Sequence, residues 1–373
     1  MRVLNIIPNT NLAGTEQASL RFMTGLQKHG YVFSVLSLTS AGPMKEIFEQ
    51  HGIATDALEY KGKGGWKSYA PLKKKLSELI DTFKPDIIIQ TSHHLLTTLI
   101  LSSYKIPKIL AVHHHHQGVK PAWQWKIIYK ICNSRFAAIT FPSDFIRDEA
   151  MSLAPFIAEK SYTVRNPLPT KEPITKERKQ HARAALGIPQ DALVIGNSSQ
   201  LIKRKRLDVF LDVAKKISTQ HANVHFLVAG DGEERQQLEK LAQDLGVAGR
   251  ITWLGWQRDL APFYHSLDFM LFNSDWDAFP TTPLEAMAYG VPVVASAVNS
   301  GLKEVISNGK YGYLILNHDT DKLAGYLLDA FKGKVPNTGL AGREHVQEMC
   351  HFDHCVEQLK KVIEGSANLQ AVP

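Results

Sequence analysis

Two carboxylates bracket the stretch Asp277-Ala-Phe-Pro-Thr-Thr-Pro-Leu-Glu285, with seven residues between them. Their spacing is the pattern in this chain best suited to chemistry. Phe269 to Phe272 is a short apolar run of the kind that fills a buried parallel strand, so Asp277 is expected just past a strand's carboxyl end. Pro283 marks the first turn of a following helix, Leu284, Met287 and Ala288 give it an apolar face, and Gly290 followed by Pro292 stops it. Glu285 then falls in that first turn. Ligands of open α/β sheets bind beyond the carboxyl ends of the strands, and helix N-termini offer unpaired N–H groups to phosphate. Carboxylates flanking such a turn suit sugar hydroxyls on either side of a diphosphate. The plainer alternative is an acidic helix start that favours the helix dipole.

Other segments carry compatible signals. Asn197-Ser-Ser-Gln-Leu-Ile-Lys-Arg-Lys-Arg206 concentrates cations after a strand, and Val228-Ala-Gly230-Asp-Gly232 ends a strand with two glycines able to turn tightly. Gly14 opens a helix-like run after the first strand, where a missing Cβ permits close backbone approach to a phosphate or acceptor. His113-His114-His115-His116 follows the strand-like run Ile109 to Val112. Cys350-His-Phe-Asp-His-Cys355 gathers four soft-ligand residues and invites a zinc reading.

Taken together these segments resemble the retaining nucleotide-sugar glycosyltransferases of family 4, with their Glu-x7-Glu signature and GT-B fold. The resemblance implies that Asp277, standing where the family has Glu, binds donor sugar hydroxyls, and that Glu285 binds the ribose. It implies that backbone at Phe279, Pro280 and Thr281, with Thr282 beside them, meets the sugar or phosphate. Lys205 aligns with the family lysine that neutralises the departing diphosphate. Gln200 occupies the usual Arg position and Arg206 the usual Gly position, leaving Lys203, Arg204 or Arg206 to supply the second cation. Gly230 matches the family's Gly-x-Gly turn, Ala13-Gly14-Thr15-Glu16 its Gly-Gly-x-Glu loop, and His113, the best aligned of the four histidines, the residue facing the sugar. Phe352-Asp-His-Cys-Val resembles an ordinary late-helix opening, which weighs against zinc. Such enzymes compensate leaving-group charge with cationic side chains and a helix N-terminus, so neither a cofactor nor an essential metal is expected.

The elements that must position these residues alternate along the chain. Val3 to Ile7, a periodic run through Leu20, Met23 and Leu26, and Ser34 to Leu38 form a βαβ unit. Strand-like runs continue at Asp86 to Gln90, Ile109 to Val112, Ala138 to Phe141 and Tyr162 to Val164. After the turn Arg165 to Pro169 and a charged connector, Thr170 to Ala185, a second series starts at Val194. The expected fold is α/β, two Rossmann-like doubly wound domains facing across a cleft. Residues 1–168 would form the acceptor side and 169–355 the donor-binding domain; by resemblance a C-terminal helix, about 356–373, packs back on the first.

The chain has 373 residues, 44% hydrophobic and 21% charged, a globular composition long enough for two domains. Three cysteines make no disulfide framework, the opening residues lack a leader pattern, and no apolar run is long enough to span a bilayer, so a cytoplasmic protein is expected. Charge is uneven: thirteen Lys and Arg lie between Lys61 and Arg135 against Glu78, Asp81 and Asp86. Trp66, Tyr69, Trp123, Trp125 and Tyr129 are interleaved there, which suggests a peripheral face for an anionic membrane on the inner side of the cytoplasmic membrane. A plain solvated surface is the alternative. No nucleic-acid motif accompanies the charge.

The reaction expected is retaining transfer of a sugar from a UDP- or GDP-linked donor to a glycan or lipid-linked acceptor, in surface polysaccharide or lipopolysaccharide synthesis. The competing readings are a GT-B epimerase or phosphorylase, and a noncatalytic protein that binds sugar nucleotides.

Overall fold

The structure is a computed structural model that describes residues 1–368 apart from 40, 59–68, 92, 115, 117–118 and 308, and apart from the side chains of 297–299. The chain divides into two units, Met1–Pro167 together with Cys350–Pro373, and Leu168–Met349.

The first unit is built on a seven-stranded parallel sheet. Its strands are β1 (Arg2–Ile7), β2 (Val32–Ser37), β3 (Ala54–Ala57), β4 (Ile87–Gln90), β5 (Lys108–Ala111), β6 (Ala138–Phe141) and β7 (Ser161–Thr163), in the order β3-β2-β1-β4-β5-β6-β7. Strands covered by helices on both faces read as apolar runs; β4 does so over Ile87 to Ile89, and β1 does so over Val3 to Ile7 but for the buried Asn5. The sequence reading passed over β3: Ala-Thr-Asp-Ala lies at the sheet edge, half-buried, and lacks an apolar run. The order reverses between β1 and β4, the topological switch point at which such sheets bind ligands.

The last helix, Phe352–Asn368, belongs to this unit. Cys355, Val356, Leu359 and Ile363 join a core with Val3, Ile7, Met23 and Leu26. The chain enters the unit at Cys350, ahead of the expected 356, because Cys350 and Cys355 are themselves fully buried. Gly25 lets the helix Gly14–Gln27 approach it closely: a Cβ there would lie 2.5 Å from Val356 Cγ2.

The second unit carries β8 (Leu193–Ser198), β9 (Val224–Ala229), β10 (Ile251–Gly255), β11 (Phe269–Asp277), β12 (Val293–Ser300) and β13 (Tyr313–Leu314), parallel in the order β10-β9-β8-β11-β12-β13. Its switch point lies between β8 and β11. The supposed connector ending at Ala185 instead contains the helix Lys176–Ala185, capped by the Thr175 hydroxyl. The buried Arg183 guanidinium ties that helix to the sheet, donating to the carbonyls of Ser266, Gln190 and Ala192 and to Asp268.

Two expectations about local structure need correction. β11 does not end at Phe272; it runs on to Asp277, whose Cα pairs with Ser300, because β12 is long enough to continue the ladder. Asp277 is therefore the last residue of the strand. The helix begins at Thr281, before Pro283, so Glu285 is its fifth residue and not part of its first turn. Proline is tolerated at its third position because the first helical N–H groups have no partner within the helix. Gly290 ends it in the left-handed region, φ 89°, as a glycine stop should.

Candidate functional site

In the second unit, the segment after β8 and the end of β11 meet at the switch point. Lys205 Nζ donates to Asp277 Oδ2 at 2.8 Å and Arg204 Nη1 to Oδ1 at 3.1 Å, so two cations share one largely buried carboxylate. Arg204 also donates to the Trp276 carbonyl at 2.7 Å, and its guanidinium lies over the Trp276 ring, 4.3 Å from the centroid. Burial pushes the Asp277 carboxyl up, but the Lys205 ammonium and the Arg204 guanidinium together outweigh it and hold the acid below its usual range. Burial acts on Lys205 in the destabilising sense, as does Arg204, while Asp277 opposes them. The carboxylate, with two cations on it, stays ionised.

Of the three cations that the sequence left open, Arg204 is the one brought to Lys205. Lys203 is exposed. Arg206 points its charge elsewhere, to Asp208 at 2.9 Å and Asp275 at 3.2 Å. Its backbone is left-handed, φ 49° and ψ 46°, the conformation a glycine would adopt without strain. Asp275 is held in turn by His318 Nε2 at 3.2 Å, whose Nδ1 contacts the Ser296 hydroxyl at 2.7 Å. Gln200 is exposed.

Gly230 serves this segment directly. Its φ is 134°, and a Cβ there would fall 2.0 Å from the Ser199 carbonyl oxygen. Gly232 likewise clears the Leu201 carbonyl, where a Cβ would approach to 2.3 Å. The Leu201 N–H donates to the Asp231 carbonyl and the Glu234 N–H to that of Leu201. The two glycines thus let the turn after β9 lie against the cation segment after β8.

Phe279 and Pro280 are buried and lead into Thr281 and Thr282, half-buried in the first turn of the helix Thr281–Tyr289. No side chain caps that helix start, so backbone N–H groups stand at the positive end of the helix dipole. Glu285 is buried, and its Oε2 accepts from the Tyr264 hydroxyl at 3.2 Å. Tyr264 stacks on Tyr289, ring centroids 5.1 Å apart. The sequence analysis missed Tyr264, which carries no spacing signal and which the fold brings to Glu285 from 21 positions away.

Gly14 and His113 belong to the first unit. Gly14 is exposed and opens the helix Gly14–Gln27. Two residues on, Glu16 is 2% exposed with Oε2 unpartnered, and burial raises its pKa to about 7. His113 helps line a cavity of about 40 Å³ with Asn5, Ser19, Thr91 and Thr140. Burial, with His114 adding, pushes its pKa down to about 4, so the imidazole is neutral near pH 7. His115 lies outside the described residues. His116 is buried and plays another part, its Nδ1 meeting Glu149 at 2.6 Å and its Nε2 the Tyr129 hydroxyl. His93, after β4, was not anticipated; its ring lies 4.9 Å from that of His114, and burial and the neighbouring histidines and Lys120 lower its pKa to about 3.

In the segment considered for zinc, Cys355 is buried while His351 and His354 are exposed. Burial raises the thiol pKa of Cys355 to about 12. Among the described residues no three His, Cys, Asp or Glu side chains converge on a metal position.

Two doubly wound parallel-sheet units, one with a cation–carboxylate cluster at its switch point, define a GT-B glycosyltransferase architecture. The family model "Glycosyl transferases group 1" matches residues 178–341, and that for "Glycosyltransferase Family 4" matches residues 12–172. The chain belongs to this glycosyltransferase family. It is 31% identical over 163 residues to the lipopolysaccharide core biosynthesis glycosyltransferase LpsE of Rhizobium meliloti (strain 1021), a match spanning 44% of this chain and 46% of that protein. It is 23% identical to an uncharacterised glycosyltransferase of Haemophilus influenzae, over 83% of this chain and 84% of the relative. The crystal structure of Anabaena Alr3699/HepE in complex with UDP and glucose shares its fold, with a TM-score of 0.84 at 17% identity over 98% of this chain and 99% of that one.

Proposed function

We propose that this protein transfers a sugar, with retention of configuration, from a nucleotide-sugar donor held by the second unit to a glycan or lipid-linked acceptor in surface polysaccharide or lipopolysaccharide synthesis. The observation that carries this reading is the sharing of Asp277 by Lys205 and Arg204 at the switch point of the second sheet. A departing nucleoside diphosphate develops negative charge, and two preorganised cations beside a helix N-terminus are the groups that stabilise it without a metal. As the diphosphate arrives, Lys205 and Arg204 exchange part of their interaction with Asp277 for the phosphates. That exchange leaves a carboxylate oxygen for the sugar hydroxyls. Glu285, backed by Tyr264, takes the ribose, and the N–H groups at Thr281 and Thr282 take phosphate. In the first unit, His113 offers a neutral hydrogen-bonding imidazole and Gly14 an open backbone at a helix start.

UDP is the first nucleotide to test, since HepE was crystallised with UDP and glucose; GDP is the second. The LpsE likeness supports the lipopolysaccharide setting. A ligand that binds only the folded state raises its stability by mass action. The test is a thermal-shift panel of nucleoside diphosphates and nucleotide sugars with and without magnesium. A magnesium-independent shift that Glu285→Ala abolishes supports the donor site. Absence of a shift with every nucleotide rejects the donor site, and a shift without transfer to any acceptor favours the noncatalytic sugar-nucleotide-binding protein.

A further inference from the structure

The basic, aromatic-rich segment between Lys61 and Arg135 resolves into parts with different fates. Trp125 and Tyr129 are fully buried. Lys108 is buried too, its ammonium donating to the carbonyls of Tyr104 and Ile106 at 2.7 Å. Lys75 is paired with Asp56 at 2.7 Å. Lys61, Lys63, Trp66 and Lys67 lie outside the described residues. The sequence expectation of one broad basic face therefore fails for Trp125, Tyr129, Lys108 and Lys75, while the helix that carries Trp125 keeps the pattern on its other side.

The helix Ala122–Arg135 has two sides. Trp125, Ile128, Tyr129 and Cys132 face the interior of the first unit. On the other side Trp123 is 59% exposed and Ile127 40% exposed, and Lys126 and Lys130 are exposed beside them. Residues three and four apart share a helix face, so these four form one stripe. The helix contains no Asp or Glu, so its own residues do not offset the lysines. An exposed indole and an aliphatic side chain between ammonium groups match the interface of an anionic bilayer, where Trp sits at headgroup level and Lys meets lipid phosphate. A contact between two copies of the chain fits less well, because lysine is depleted at protein interfaces.

We infer that the outer face of the helix Ala122–Arg135 docks on an anionic lipid bilayer, with Trp123 and Ile127 entering the headgroup region and Lys126 and Lys130 on lipid phosphates. This narrows the acceptor reading above to a lipid-linked substrate presented at the membrane, and rests on that reading for its purpose but not for its test.

The test is cosedimentation of the full chain, without nucleotide, with vesicles of equal parts phosphatidylglycerol and phosphatidylcholine and with vesicles of phosphatidylcholine alone. The wild type is expected to pellet with the mixed vesicles only, and less so at high salt. Lys126→Glu/Lys130→Glu is expected to lower partitioning at least about tenfold, and Trp123→Ser/Ile127→Ser to lower it comparably. Both variants replace surface residues, and an unchanged melting temperature and nucleotide shift establish that they fold. Lys332→Glu/Lys334→Glu in the second unit should bind as the wild type does. Wild type that ignores mixed vesicles, or helix variants that pellet like wild type, would overturn the proposal. So would a lipid-free dimer dissolved by Trp123→Ser, or RNA binding on the same face that lipid does not displace. Each of these outcomes leaves the donor reading intact, because that reading stands or falls on the nucleotide shift.

Discussion

Lys205 and Asp277 are 72 positions apart in sequence and 2.8 Å apart in space, joined by an ion pair across the switch point of the second sheet. Arg204 shares the same carboxylate, and the arrangement makes the charge balance testable from both sides.

Lys205→Ala removes one of the two cations on Asp277, the one proposed to stabilise the leaving group. Loss of one preorganised charge-stabilising contact lowers kcat by roughly 100- to 1,000-fold, and breaking a buried pair costs up to about 3–5 kcal/mol. Asp277→Ala should instead leave both cations to the diphosphate, so binding of free nucleoside diphosphate holds or tightens while transfer is lost. Calorimetric titration of both variants checks this, and weaker nucleotide binding by Asp277→Ala would refute the exchange of partners.

Arg206 tests strain against pairing. A left-handed L-residue costs about 1–2 kcal/mol, and ion pairs as exposed as those to Asp208 and Asp275 are worth about 0–1 kcal/mol each. Arg206→Gly should therefore stay within about 1 kcal/mol of wild type by urea denaturation, and Arg206→Ala should fall below it. The reverse ranking would show that the ion pairs outweigh the strain.

Gly230→Ala should be among the most damaging small changes in the second unit. The added carbon would stand 2.0 Å from the Ser199 carbonyl oxygen at φ 134°, and backbone cannot yield as a flexible side chain does. A loss above about 3 kcal/mol is expected, with the nucleotide thermal shift reduced as the cation segment moves. Gly246→Ala, also at positive φ but with no atom within 4 Å of the added carbon, isolates the cost of conformation from that of contact.

Glu16 predicts a pH dependence. Burial raises its pKa from 4.5 to about 7, so between those values the folded state holds a proton that the unfolded state has released. Its favourable contribution is complete below pH 4.5 and is lost as pH rises through 7, in total about 3 kcal/mol. Glu16→Gln should flatten the stability profile across this window and make the protein more stable than wild type at pH 8. Equal pH profiles of the two proteins, followed by urea titration, would show that Glu16 is solvated.

Much of the architecture was legible because it depends on local order. Alternating apolar strands and helical periods in two series identify doubly wound sheets, since each strand must bury both faces and each helix one. Asp277, Glu285, Lys205 and Gly230 were singled out by their resemblance to the family's motifs; their roles belong to the proposal, while the fold brings Lys205 onto Asp277. The misreadings lie where partners at long range decide. β11 runs to Asp277 only because β12 continues beside it, and the charged residues near Arg183 form a helix anchored by Asp268, 85 positions away.

The tertiary structure alone put Arg204, and neither Arg206 nor Lys203, on the Asp277 carboxylate, and paired Tyr264 with Glu285. It also divided one basic, aromatic segment into a buried Trp125 and an exposed Trp123. A sequence specifies which charges and rings are available and the period on which they recur. Which of them meet, and which stay in water, depends on strand order and on the free energy of burying a charge unpaired, and both are properties of the folded chain.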